Sequence, residues 1–236
     1  RELALTADEG ISGNRAHRRQ VERAAGNPEG RALAWAGEVD TRVSRARPRQ
    51  RGARYKMGMP VTDAPEQRSR FLALVFTDLA DSTALKTQHG DVAGGELIAR
   101  HRDHVTRLAG EGGGRIVDWA GDGCFLTFDT ASTAVVFALR LQQIHKYESD
   151  LPGVRAGIHM GEVSVRQASG AQRVEGLIVD LTARISGLAR AGQVLVSGAI
   201  QHSAKQRLGI YEFGQPVRWE SYGSYTLKGF DEPVEI

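Results

Sequence analysis

The residues most able to do chemistry fall in two short segments. The first, Phe76-Thr77-Asp78-Leu79-Ala80-Asp81-Ser82-Thr83, ends an apolar run with a carboxylate and then supplies the small and hydroxyl residues that open a helix. The second, Ala120-Gly121-Asp122-Gly123, holds a carboxylate between glycines, flanked by two strand-like stretches. Asp78 is expected at a strand end and Asp122 at a tight hairpin, so pairing of their strands would set the two carboxylates side by side. Such a pair repels unless cations lie between the two groups. The backbone N–H groups of Leu79, Ala80, Asp81, Ser82 and Thr83, at a helix start, form a cradle for an anion. Carboxylates for hard cations beside a phosphate cradle point to nucleotide chemistry with two metal ions, Mg²⁺ or Mn²⁺. Taken singly, Asp78 is equally a strand-end cap and Asp122 a turn residue.

The elements that must position these residues are legible from residue 70 onward. Phe71–Phe76 reads as a buried strand. Ser82 is the expected N-cap of a helix in which Leu97, His101, Val105 and Leu108 keep helical spacing up to the breaker Gly112-Gly113-Gly114. Short strands are expected over 115–119 and 124–128, a helix over 130–147, and a long strand over 154–165. A helix over 179–189, a strand over 193–196 and a helix over 199–208 follow, with final strands over 210–213 and 222–227. This order predicts an α+β domain, a mostly antiparallel sheet with packed helices, over residues 67–236. Residues 1–66 have weak periodicity and many arginines and are expected to be a poorly ordered basic segment or linker.

Composition narrows the function classes. With 41% hydrophobic residues the chain can build a sizeable core, and no run of 18 apolar residues suggests a membrane span. One cysteine, Cys124, rules out an intrachain disulfide and a cysteine-rich metal site, and no signal peptide is visible, which suits a reducing cytoplasm. The formal charge of +3 is uneven: residues 1–56 carry a net +6 and the remainder a net −3. The basic excess reads as a solvated linker, and nucleic-acid binding is not expected as the main function. The chain opens without methionine and stops at Ile236 in a strand-like run, as a piece of a longer protein would. His101 and His104 read as partial core and helix surface, Cys124 as buried, and Trp119, Trp219 and Tyr222 as packing residues.

Five ordered blocks resemble the catalytic domain of the class III nucleotidyl cyclases, the adenylate/guanylate cyclase family. They are residues 76–83, residues 120–123, Arg-Ala-Gly-Ile-His-Met-Gly-Glu-Val at 155–163, Val-Asp-Leu-Thr-Ala-Arg-Ile at 179–185 with Ala-Gly-Gln-Val-Leu-Val-Ser at 191–197, and Leu-Lys-Gly-Phe-Asp-Glu-Pro-Val at 227–234. The resemblance implies a ferredoxin-like core and an active site at a head-to-tail homodimer interface, where a nucleoside triphosphate becomes a 3′,5′-cyclic nucleotide and pyrophosphate. One subunit would supply the metal ligands Asp78, Asp122 and the Leu79 carbonyl. The other would supply Arg184 and Lys228 to the phosphates.

Three positions depart from the family pattern. Asp118 stands where a base-reading lysine is usual, Arg173 where a base-reading aspartate or threonine is expected, and Asp180 where an asparagine positions the ribose. ATP is the family default. The charge swap would also let Asp118 accept from guanine N1–H and N2–H while Arg173 donates to O6, and it would suit uracil. Glu175 is an alternative reader in the same loop. The other reading of these departures is a catalytically weak, nucleotide-binding regulatory module.

Overall fold

The computed structural model describes residues 67–168, 171–208, 213 and 216–236. The expectation for residues 1–66 and most of the strand expected over 210–213 lie outside the described residues. The elements run β1 (Gln67–Leu79), α1 (Ser82–Glu111), β2 (Arg115–Ala120), β3 (Gly123–Phe128), α2 (Ala131–Tyr147), β4 (Val154–Ala168), β5 (Ala171–Glu175), α3 (Leu177–Leu188), β6 (Val194–Val196), α4 (Gly198–Lys205), β7 (Ser224–Tyr225) and β8 (Val234–Glu235).

The α+β expectation holds. The main sheet has the order β2-β3-β1-β4-β5, with β6 also paired to β4. All its pairings are antiparallel except the parallel β4–β6 contact. β1 is central and both its faces are covered, which is why it reads as a continuous apolar run rather than an alternating one. Ala73, Val75 and Leu79 face the core built with α1, α2 and α4. Leu72, Leu74 and Phe76 face a second core shared with Phe125, Val163, Val165 and Val174 and flanked by Ile178 and Val179 of α3.

Two glycines of β4 let α3 lie directly on the sheet. A Cβ at Gly157 would stand 2.2 Å from the Ser186 backbone nitrogen, and one at Gly161 would stand 2.8 Å from the Ile178 Cδ1. Four residues apart on a strand, both glycines face the same side. Leu181 and Ile185, one helical turn apart, bury the inner stripe of α3.

Several expectations change in detail. β5 was not expected: it is short and polar, and it forms because Ala171–Glu175 folds back onto Ser164–Ala168. β7 is only two residues long and pairs with β8, also unexpected. Asp81, not Ser82, occupies the N-cap position of α1, in the left-handed region (φ 56°) and without a side-chain capping bond. Ser82 is already the first helical residue and is buried. Among the described residues no helix is long and apolar enough to cross a membrane.

Candidate active site

Strand pairing brings the two key carboxylates to one end of the sheet. β1 and β3 pair from Ala73↔Phe128 to Thr77↔Cys124, so Asp78 comes level with Gly123 beside the β2–β3 hairpin tip. Gly121 takes φ 63° to turn that tip, a conformation that costs glycine little. The Asp122 carboxylate then reaches back, its Oδ2 accepting the Leu79 N–H at 3.2 Å. Neighbouring groups of α1 grip the same hairpin: Arg102 donates to the Gly121 carbonyl and its guanidinium lies 4.9 Å from the centre of the Trp119 ring.

Asp78 has a partner that the sequence reading did not single out. β4 sets Arg155 directly opposite it, and the Arg155 guanidinium donates to Asp78 Oδ2 from Nε at 3.0 Å and also from Nη2. Burial raises the Asp78 carboxyl above its ordinary range; Arg155 opposes that rise, and the adjacent Asp122 charge adds to it. Two carboxylates share this end of the sheet, one partly desolvated and paired with Arg155, the other bonded to a backbone N–H. The Leu79 backbone joins them. These hard oxygen donors fit Mg²⁺ or Mn²⁺, which take few protein carboxylates and complete their shells with water and phosphate oxygens.

The expected anion cradle is partly used within the chain. Leu79 N–H bonds Asp122, and Ala80 N–H donates to the Gly153 carbonyl at 2.8 Å. The rest of the expected set, Asp81 to Thr83, forms the turn that opens α1.

The other expected residues stand elsewhere. Asp180 and Arg184 lie on α3, which packs on the sheet face opposite to α1, α2 and α4. Asp180 is exposed and Arg184 half-buried, and they form no ion pair with each other. Lys228 is exposed in the turn between β7 and β8, beside Gly229 at φ 87°. Asp118 and Arg173 are exposed on β2 and β5. These strands sit at opposite ends of the strand order, yet they approach each other because the sheet curls. Val117 and Val174 pack into one core while their neighbours Asp118 and Arg173 face out. The Asp118 Oδ1 accepts the N–H of Trp119 at 2.8 Å.

The minor side-chain expectations resolve cleanly. Cys124 is buried and unpaired, with burial pushing its thiol pKa up. Trp119 and Trp219 pack against the first core and Tyr222 against a third one formed by α3, β6 and the C-terminal strands. His101 is fully buried rather than partial core, whereas His104 sits nearer the surface and pairs with Glu148 at 2.9 Å.

With this geometry in hand, relatives can be weighed. The chain is 32% identical over 137 residues to an adenylate cyclase of Streptomyces coelicolor, a match covering 58% of this chain and 35% of the relative. It is 33% identical over 196 residues to adenylate cyclase 2 of Rhizobium meliloti, covering 73% of this chain and 50% of the relative. The chain thus spans about a third to a half of the length of these curated relatives. In structure it is similar to the adenylyl cyclase CyaB from P. aeruginosa, with a TM-score of 0.63 at 21% identity, covering 72% of this chain and 93% of that one. No family model matches the chain. The ordered motifs, the sheet that brings Asp78 and Asp122 together and the similarity to these adenylate cyclases support the class III nucleotidyl cyclase family for this chain.

Proposed function

We propose that the chain is a nucleotidyl cyclase catalytic domain that converts a nucleoside triphosphate into a 3′,5′-cyclic nucleotide and pyrophosphate at a homodimer interface. The observation that carries this reading is the convergence of Asp122, anchored on the Leu79 N–H, with the partly buried Asp78. Two divalent cations per site, held by Asp78, Asp122 and the Leu79 carbonyl, would lower the charge on the triphosphate and favour attack of the ribose 3′-oxygen on the α-phosphorus.

The remaining steps belong to side chains. As pyrophosphate leaves, negative charge grows on phosphoryl oxygens, which the Arg184 fork and the Lys228 ammonium of the other subunit would stabilise. Asp180 would hold the ribose by accepting from a hydroxyl, since a carboxylate cannot donate as an amide does. Arg155, paired with Asp78, keeps a positive charge at this end of the sheet. Asp81 to Thr83 would meet the phosphates at the start of α1.

Asp118 and Arg173 would read the base. ATP is the default by family resemblance, and Asp118 with Arg173 would also suit the N1–H, N2–H and O6 edge of guanine in GTP, or uracil. A cytoplasmic location suits the single, buried Cys124. The second reading, a weak nucleotide-binding regulatory module, draws on Asp118, whose carboxylate is already engaged by the Trp119 N–H.

The split site gives a direct test. Asp122→Ala and Arg184→Ala chains should each be inactive, and mixing them should restore activity. Random pairing makes half the dimers mixed, each with one intact site of two, so roughly a quarter of wild-type activity is expected. No recovery in a mixture shown to exchange subunits would defeat the shared-site reading.

A further inference from the structure

The core between the sheet and helices α1 and α2 is apolar apart from a few polar groups, and two of these are imidazoles 44 residues apart. His101 on α1 is fully buried and His145 on α2 nearly so. Their rings meet edge to face with centroids 5.0 Å apart, and His101 Nδ1 lies 3.0 Å from His145 Nε2. At the far end His145 Nδ1 is 2.7 Å from the Pro152 carbonyl.

The protons can be assigned from the partners. A carbonyl only accepts, so His145 Nδ1 carries the hydrogen that goes to Pro152. His145 Nε2 is then the acceptor and His101 Nδ1–H the donor. His101 Nε2 then carries no hydrogen, and it finds no hydrogen-bond partner among the described residues. Burial, joined by the neighbouring imidazole, depresses the His101 pKa to about 3, and burial lowers that of His145 as well, so both rings are neutral at physiological pH.

Packing alone does not call for this pair. Two leucines would fill the space without the cost of burying polar rings. Each end, however, meets a segment that builds the aspartate site. Pro152 precedes Gly153, whose carbonyl holds the Ala80 N–H, and lies three residues before Arg155, the partner of Asp78. At the other end Arg102, next to His101 on α1, donates to the Gly121 carbonyl beside Asp122.

We propose that His101 and His145 form a buried strut that fixes the spacing between the Asp78 and Asp122 segments, making both of them positioning residues for the metal site. The role rests on the metal reading given above. Groups behind a ligand that orient it typically change metal affinity by about 10- to 100-fold when removed.

The test is Mn²⁺ binding to the full chain without nucleotide, read from the loss of the free-ion electron paramagnetic resonance signal. His101→Leu should stay folded, judged by its thermal unfolding and dimer content, and bind Mn²⁺ roughly 10- to 100-fold more weakly than wild type. His101→Asn keeps a donor on α1 but is too short to span to His145 as the ring does. It should show the same direction of change, and it carries the measurement if the leucine variant does not fold. Wild-type affinity in a folded variant overturns the strut. A wild-type chain that binds no Mn²⁺ at all overturns the metal reading together with the role built on it.

Discussion

Replacing Gly157 by alanine would drive a methyl group into the backbone of α3. The added Cβ would stand 2.2 Å from the Ser186 nitrogen and 2.4 Å from its Cα, both main-chain atoms that no rotamer change can move. Ordinary contact begins near 3.4 Å, so helix and strand would have to separate by about 1.2 Å or more. Overpacking of this kind costs about 1–3 kcal/mol, which urea unfolding of the full chain would read as a lower midpoint. The same shift displaces Arg184 and Asp180, and a misplacement of about 1 Å can lower kcat by roughly 10²-fold. Gly161→Ala is the built-in comparison. Its Cβ meets only side-chain atoms of Ile178, Cδ1 at 2.8 Å and Cγ1 at 3.0 Å, which can shift more easily than backbone, so both losses should be smaller. Wild-type stability in Gly157→Ala would refute the close α3–sheet contact. Lost stability with unchanged kcat would refute the catalytic role given to the outer face of α3.

Other consequences follow from the same geometry. His101 is neutral in the folded protein with its pKa near 3, against 6.5 when exposed, so the unfolded chain binds more protons below pH 6.5. Stability contributed by this group is full above pH 6.5 and falls as pH drops towards 3, by up to about 1.4 kcal/mol per pH unit. Denaturation from pH 7 to pH 5 should therefore show a shallower slope for His101→Leu than for wild type, and parallel slopes would contradict the buried neutral ring. Arg102→Ala removes the bond to the Gly121 carbonyl and the contact with Trp119. It should cost about 1 kcal/mol in thermal unfolding and weaken activity through the Asp122 hairpin, and a silent variant would show that α1 does not brace the tip.

Much of this arrangement was legible in the sequence because its signals are local. The apolar run before Asp78, the Ala-Gly-Asp-Gly turn and the helical spacing of Leu97, His101, Val105 and Leu108 each reveal an element within a few positions. What stayed hidden depends on pairing across the chain. Arg155 sits in a motif that was recognised, yet its role exists only because antiparallel register sets it opposite Asp78, 77 residues away. His101 looked like ordinary helix periodicity, since His145 meets it only after α1 and α2 pack. β5 lacks an apolar pattern and forms because the chain turns back onto the long β4. The start of α1 was misplaced by one residue because Ser82, a good capping residue by type, is buried inside the first turn. The left-handed conformation of Asp81 fills the cap position instead.

The central claim is that this chain makes a cyclic nucleotide at a site built on Asp78 and Asp122. The most direct measurement is pyrophosphate release by the purified full chain with Mn²⁺, offered ATP, GTP, CTP and UTP separately, with the product identified by mass and Asp122→Ala as the control. The account predicts turnover of at least one nucleotide to its 3′,5′-cyclic form, lost in the variant. No release from any of the four by a chain shown to be dimeric and to bind Mn²⁺ would contradict it and leave a nucleotide-binding module in its place.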